Sequence, residues 1–245
     1  MSNKHGLSRD IPDPIKRIVR QSCGFGCVIC GSGIIEYEHF APEFSDATAH
    51  DPTGIALLCP QCHSKVTTKF WSKSKVKEAA AAPACLKSGF TREVFDIGDG
   101  HPSLKFGGLT LLNCPTPITV GGKPLFSIQP PEEPASPFRL SGFFIDSAGK
   151  QSLVIRDNEW MASAGNWDVE VSGGAITIRE QFGKIHLKLI TDPPSGLIVD
   201  RLEMALGGGR SISANGDSLI VIFKNGGRIE FTDCLADNCQ VGIAL

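Results

Sequence analysis

The sequence predicts an α+β protein in two parts: a small zinc-bound head of helices and short strands, then an all-β domain, a sandwich or a barrel. Three observations carry this. Two C-x-x-C pairs, Cys27/Cys30 and Cys59/Cys62, are separated by 28 residues. From about residue 104, short apolar or alternating runs are punctuated by Gly, Asn and Pro. The charge divides the same way: residues 1–93 carry 12 Lys/Arg and 9 Asp/Glu, giving +3, whereas residues 94–245 carry 12 and 17, giving −5. The expected domains are therefore 1–95 and 104–245.

The first element is a helix over PDPIKRIVRQS, residues 12–22. Ile15, Ile18 and Val19 recur at helical intervals, Asp13 suits an N-cap and Pro14 a first turn. Residues 24–33 form a glycine-rich turn bearing the first cysteine pair. IIEYEHF (34–40) predicts a strand, residues 41–54 an irregular loop, and IALL (55–58) a second strand running into a helix that opens at CPQCHSKV. KVKEAAAAPACLKS (75–88) is helical with an interruption at Pro83. In the second part, FRLSGFFID, QSLVIRD, WDVEV, AITIRE, KIHLKLI and SLIVIF are strands. Asn225-Gly226 marks the clearest hairpin. The proline-rich stretch 129–137 is an exposed connection, either a loop inside the β domain or a link between two subdomains.

Composition is that of a soluble globular chain, 41% hydrophobic and 20% charged. MSNKHGLSRDIPD has no apolar core of a signal peptide, and no stretch approaches the roughly 20 apolar residues of a membrane span. The expectation is a cytoplasmic protein that does not enter membranes. Nine cysteines, an odd number with five clustered in the head, argue for metal binding plus free thiols over a disulfide framework.

Two tight turns, each presenting paired thiolates, can complete a tetrahedral set of four sulfurs around one zinc ion. The alternative is four reduced thiols filling a core. Gly24, Gly26 and Gly31 let backbone amides approach the sulfurs. Cys23 is expected to be a helix-end thiol outside the set. A closed four-cysteine site has no open position for a substrate, so this zinc is structural, and it supplies much of the head's folding free energy. His63 is then left over, facing away from the sulfurs. Its candidate partners are Glu38 and His39, at the end of the first strand.

"CVIC", "EYEHFAP" and "LLCPQCHSK", in that order over residues 12–70, resemble the HNH endonuclease family in its zinc-knuckle-supported ββα-metal, treble-clef-like form. The resemblance implies a catalytic divalent metal, Mg²⁺, Mn²⁺, Ni²⁺ or Zn²⁺, held by Glu38 and His63. It makes His39 the general base that activates water against a phosphodiester, and DNA the substrate, with a role in restriction or defence. Neutral imidazole and a carboxylate-bound ion suit that chemistry. Two departures stand out. Glu38 replaces the family's usual aspartate, and Gly54 stands where the family has an asparagine that holds the loop and orients the base. Asp51 or His50 is the expected substitute, either orienting the base or serving as a further ligand of the catalytic metal. The other reading of the same residues is an impaired HNH-like module that binds nucleic acid or a protein partner without cutting.

Lys65, Lys69, Lys73 and Lys77 follow at i, i+4 intervals. On one helix they form either a phosphate-contact ladder or a solvated face, with Phe70 and Trp71 packed on the core or free to stack on a base. In the β domain, Trp160 and Trp167 are expected in the core and Asp168 and Glu170 on the outer face of a strand. Its expected roles are targeting, ligand sensing or self-association as a homodimer.

Overall fold

The computed structural model describes residues 2–245. Helix α1 covers Asp13–Cys23 and buries Val19, Arg20 and Cys23. Pro14 sits in its first turn, where no N–H is required. The N-cap is Pro12, not Asp13, so the Asp13 carboxylate lies at the positive end of the helix dipole instead of capping it. Gly24, at φ 69°, ends the helix in the left-handed conformation, and its N–H reaches back to the carbonyl of Gln21.

Strand β1, Glu36–His39, pairs antiparallel with β2, Ile55–Leu58, placing Glu38 opposite Ala56 and His39 opposite Ile55. All four residues of β2 are buried, which explains why IALL shows no polar alternation. Helix α2, Pro60–Thr67, follows directly. Helices α3, Lys73–Ala81, and α4, Ala84–Ser88, are divided at Pro83 as the sequence indicates. Val19, Val28, Leu57, Leu58, Val66 and Val76 form one small core with the cysteines at its edge.

The first compact unit runs to Glu93 and also includes Ala162–Val171. This differs from the expected limit at residue 95 with no return of the chain. The reason is a buried ion pair that sequence order conceals. Asp168 is 1% exposed, and its two carboxylate oxygens each accept a 2.8 Å hydrogen bond from the Arg20 guanidinium. Asp168 therefore does not lie on a solvated strand face. Glu170 also approaches Arg20, at 3.7 Å, and Tyr37 accepts a third bond from it at 3.1 Å. Trp167 is half-buried under Arg17, whose guanidinium lies 5.1 Å from its ring centre, and its carbonyl accepts from Gln21. These contacts fix the returning segment against α1.

The second unit, Val94–Met161 and Ser172–Leu245, is built from two sheets. In one, Thr116–Val120, Lys123–Gln129, Arg139–Ile145 and Gln151–Arg156 pair antiparallel in chain order. Residues 129–137 connect two adjacent strands of this sheet, so the proline-rich stretch is a loop inside it and not a link between subdomains. The other sheet runs in order from Ala175–Gln181 to Arg228–Thr232, and Asn225-Gly226 turns its last hairpin with Gly226 at φ 82°. Phe106 of this sheet meets Phe126 of the other at 5.3 Å between ring centres, and Phe126 meets Phe144 at 5.1 Å. Trp160 is buried, as expected. The chain is thus α+β, with most of its regular structure in strands and four helices among the described residues, all in the first unit. No helix among them is long and apolar enough to cross a membrane.

Candidate metal centre and adjoining cleft

The glycine turn after α1 and the N-terminus of α2 bring four thiols together. The sulfurs of Cys27, Cys30, Cys59 and Cys62 all lie within 4.8 Å of one another, with Cys30 and Cys59 at 3.5 Å. Among the described residues, this is the one group of three or more metal-ligating side chains gathered so closely. Its electrostatics ask for a cation. A hydrogen bond from Cys30 holds the Cys27 thiol down to about 5, helped by the backbone amides of Cys59, Cys30 and Ile29. Cys30 is pushed up, chiefly because it donates that bond to Cys27, and burial pushes Cys62 up to about 12. Protein groups alone therefore stabilise one thiolate but not four. A soft divalent ion such as zinc matches the donor set and would remove the conflict. Cys23 ends α1 outside the group, as expected. Cys85, unremarked in the sequence, packs beneath the first knuckle with its sulfur 3.6 Å from the Gly31 carbonyl.

On the other side of α2, His63 turns away from the sulfurs toward β1. Its Nε2 is 2.9 Å from Glu38 and its Nδ1 is 2.7 Å from Glu36. Glu36 was not singled out by sequence. The available signal was the spacing E-Y-E, since alternate residues of a strand share a face. The two carboxylates take opposite nitrogens of one ring, so these ligand atoms do not converge on one point. The Lys73 ammonium is bonded to the Glu38 carboxylate and also to the His39 carbonyl, at 3.2 Å. Glu36, Glu38, His39, His63, Phe70 and Lys73 all line one open cleft of about 1550 Å³.

His39 sits at the end of β1 with its Nε2 3.1 Å from His50 Nδ1 and its ring against Phe44. Burial, then the charges of His50 and Arg9, lower its pKa below the ordinary imidazole value. His39 is therefore neutral at pH 7 with one nitrogen, Nε2, committed to His50. Asp51 is otherwise engaged: its carboxylate caps the short turn Pro52–Gly54 by accepting from the Thr53 amide and hydroxyl. Of the two expected substitutes for the asparagine, His50 reaches His39 and Asp51 does not.

Gly54 also has a steric account. A Cβ there would stand 2.0 Å from the carbonyl oxygen of Ala41. The Gly54 carbonyl accepts from the amides of Phe40, at 2.9 Å, and Ala41, at 3.3 Å. The loop after His39 is thus held by the backbone of Gly54, at a closeness that excludes any side chain. The N-terminal segment adds a second brace, with Asn3 donating to the carbonyls of Phe44 and Ala47. That brace has no motif and was invisible in the sequence.

The four lysines do not share a helix. α2 stops at Thr67, Lys69 takes φ 61°, and Ser72 caps the start of α3 through the Lys75 amide. Lys65 lies in the last turn of α2, Lys69 in the turn that follows, and Lys73 and Lys77 belong to α3. The regular spacing is broken because the positive φ at Lys69 reverses the chain. Lys65 and Lys75 flank Trp71, at 4.5 and 4.7 Å from its ring centre, and Trp71 packs on the head's core. Phe70, by contrast, is 78% exposed at the tip of the turn. No protein-family model, curated protein or solved structure matches the chain.

Proposed function

We propose that the head is a metal-dependent endonuclease domain of the HNH type, acting on phosphodiester bonds in DNA, with structural zinc at Cys27, Cys30, Cys59 and Cys62. The observation that carries this reading is the joint placement of Glu38, His39 and His63 in one cleft, on a β1–β2–α2 unit whose helix starts at the cysteine cluster. A four-sulfur site and a carboxylate–imidazole site on opposite sides of one short helix separate a structural role from a reactive one.

In this reading His39 is the base. The tautomer this role requires has His39 Nε2–H donating to His50 Nδ1 across their 3.1 Å contact, leaving His39 Nδ1 to take the proton of an attacking water. Glu38 and His63 Nε2, 2.9 Å apart, would supply a carboxylate and an imidazole to a second divalent ion, while Glu36 on the opposite nitrogen holds the ring in place. When bound, such an ion neutralises charge developing on the scissile phosphate and its leaving oxygen. Lys65, Lys69 and Lys75 place positive charge near the cleft for the phosphate backbone, and exposed Phe70 offers a face for a base. Lys73 is committed to Glu38 instead.

That same Lys73 contact favours a second reading, a DNA-binding module without cleavage. The ammonium already neutralises the carboxylate a metal would need. The test is zinc-loaded protein with Mg²⁺, Mn²⁺, Ni²⁺ or added Zn²⁺ on supercoiled plasmid, beside His39→Ala. Metal-dependent nicking that falls about 10²–10⁴-fold in the variant supports the nuclease. No nicking with any metal, or equal nicking by both proteins, overturns it. DNA binding that survives His39→Ala in the absence of nicking would support the binding module.

A further inference from the structure

Cys114 and Cys239 lie in the second unit and play no part in the proposed nuclease site. Residues 234–237 run parallel to 109–112, with Cys234 opposite Leu109 and Asp237 opposite Leu112. Residues 241–244 run parallel to 116–119, with Val241 opposite Thr116 and Ala244 opposite Thr119. Both stretches keep one register, so the short gap between them places Cys239 directly opposite Cys114. Asn113 and Asn238 close the gap's near end, donating to Asp237 at 2.9 Å and to the Leu112 carbonyl at 3.2 Å.

The two sulfurs are 2.9 Å apart, short of the roughly 3.5–4.0 Å at which non-bonded heavy atoms rest. Cys114 is buried, whereas Cys239 is partly open to solvent. We propose that Cys114 and Cys239 are a redox-sensitive cross-linking site, which a low-molecular-weight disulfide converts into an intramolecular disulfide tying the C-terminal strand to its neighbour.

The exchange proceeds through the exposed partner. The Cys239 thiolate attacks one sulfur of the reagent, breaking its S–S bond and releasing one small thiolate. The Cys114 sulfur, after losing its proton, attacks Cys239 in the mixed disulfide and expels the second small thiol. Two protein thiols are oxidised, one reagent disulfide is reduced to two thiols, and the two protons go to the released thiols. Burial pushes the Cys114 thiol up to about 12, so the second attack waits on removal of that proton and accelerates as pH rises. The bond would close a loop spanning 125 residues, which includes strands of both sheets. Constraining so long a loop in the unfolded chain raises the urea midpoint of the second unit by roughly 1–2 M.

The test treats the zinc-loaded full chain with oxidised glutathione, then alkylates, digests and maps it by mass spectrometry without reductant. The expected result is one cross-linked peptide pair containing Cys114 and Cys239. Cys114→Ser should instead retain glutathione on Cys239, and Cys239→Ser should leave Cys114 alkylated only after unfolding. The proposal is overturned if Cys114 and Cys239 of the native sequence both remain as free thiols. It is equally overturned if glutathione persists on Cys239 as long as in Cys114→Ser, or if Cys239 pairs with exposed Cys234.

Discussion

The two units each bury a histidine, and the contrast between them separates a candidate site from a structural one. His39 in the head and His186 in the β unit both have pKa values lowered chiefly by burial. His186 is 0% exposed, and both of its nitrogens are occupied, by the Ser152 hydroxyl and the Glu203 carbonyl, each at 2.9 Å. Ser152, His186 and Glu180 have the residue types of a catalytic triad, with Glu180 at 3.8 Å. Ser152 and His186 are both buried, which closes this cluster to a substrate. His39 lines an open cleft and commits one nitrogen to His50. A shifted pKa marks a reactive group only where solvent has access to it.

The same contrast holds for the cores. The β unit is filled by alternating apolar residues such as Leu187, Leu189, Val199 and Leu202, while the head has a smaller cluster edged by cysteines. The largest expected effect therefore concerns metal removal. Chelation of the four-cysteine ion should unfold the head, since structural zinc contributes about 10–16 kcal/mol in small domains. The strands of the β unit should persist, which amide-resolved NMR would report. Simultaneous loss of both units would erase the distinction.

Next in size is the Arg20–Asp168 pair. Asp168→Ala leaves a guanidinium buried without its partner and should cost about 3–5 kcal/mol, measured by chemical denaturation. A paired Arg20→Met, Asp168→Leu replacement should recover most of that loss. Equal destabilisation by single and double variants would mean that packing, not the uncompensated charge, carries the effect. An asparagine at position 54 provides a third probe. Gly54→Asn should destabilise the head by about 1–3 kcal/mol through collision with the Ala41 carbonyl. A neutral or stabilising result would show that the loop moves away freely.

The smallest effect is a titration. His39 has a folded pKa below the unfolded value of about 6.5. Its neutral form is thus favoured by folding, with that stability complete above about pH 6.5 and lost as pH falls. Any activity depending on His39 as base should likewise keep its acid limb below pH 6.5. His50→Ala removes a neighbour that lowers the His39 pKa and should move that limb upward by less than about one unit, read by NMR titration of His39. A downward move would contradict the pairing. His186 should show no comparable response.

Much of the head was legible because its signals are local. The helix over Asp13–Cys23, the two cysteine turns, IALL and the break at Pro83 each depend on residues close in sequence. His63 facing away from the sulfurs followed from helix geometry alone. What escaped reading depends on distance or on backbone detail. Arg20 and Asp168 are 148 residues apart, so no pattern links them. The positive φ of Lys69 converts a regular lysine spacing into two helices and sends Lys73 back to Glu38. Gly54 read as a missing asparagine, whereas the approach of Ala41 makes it a steric requirement.

The nuclease reading stands or falls on a second, exchangeable metal at Glu38 and His63. Titration of zinc-loaded protein with Mn²⁺, followed by electron paramagnetic resonance, measures this directly. One exchangeable ion per chain is expected, lost in His63→Ala and bound about tenfold more tightly in Lys73→Met, about 1.4 kcal/mol, once the competing ammonium is removed. Absence of that ion in both the native sequence and Lys73→Met would contradict the account and leave the head as a zinc-stabilised binding module.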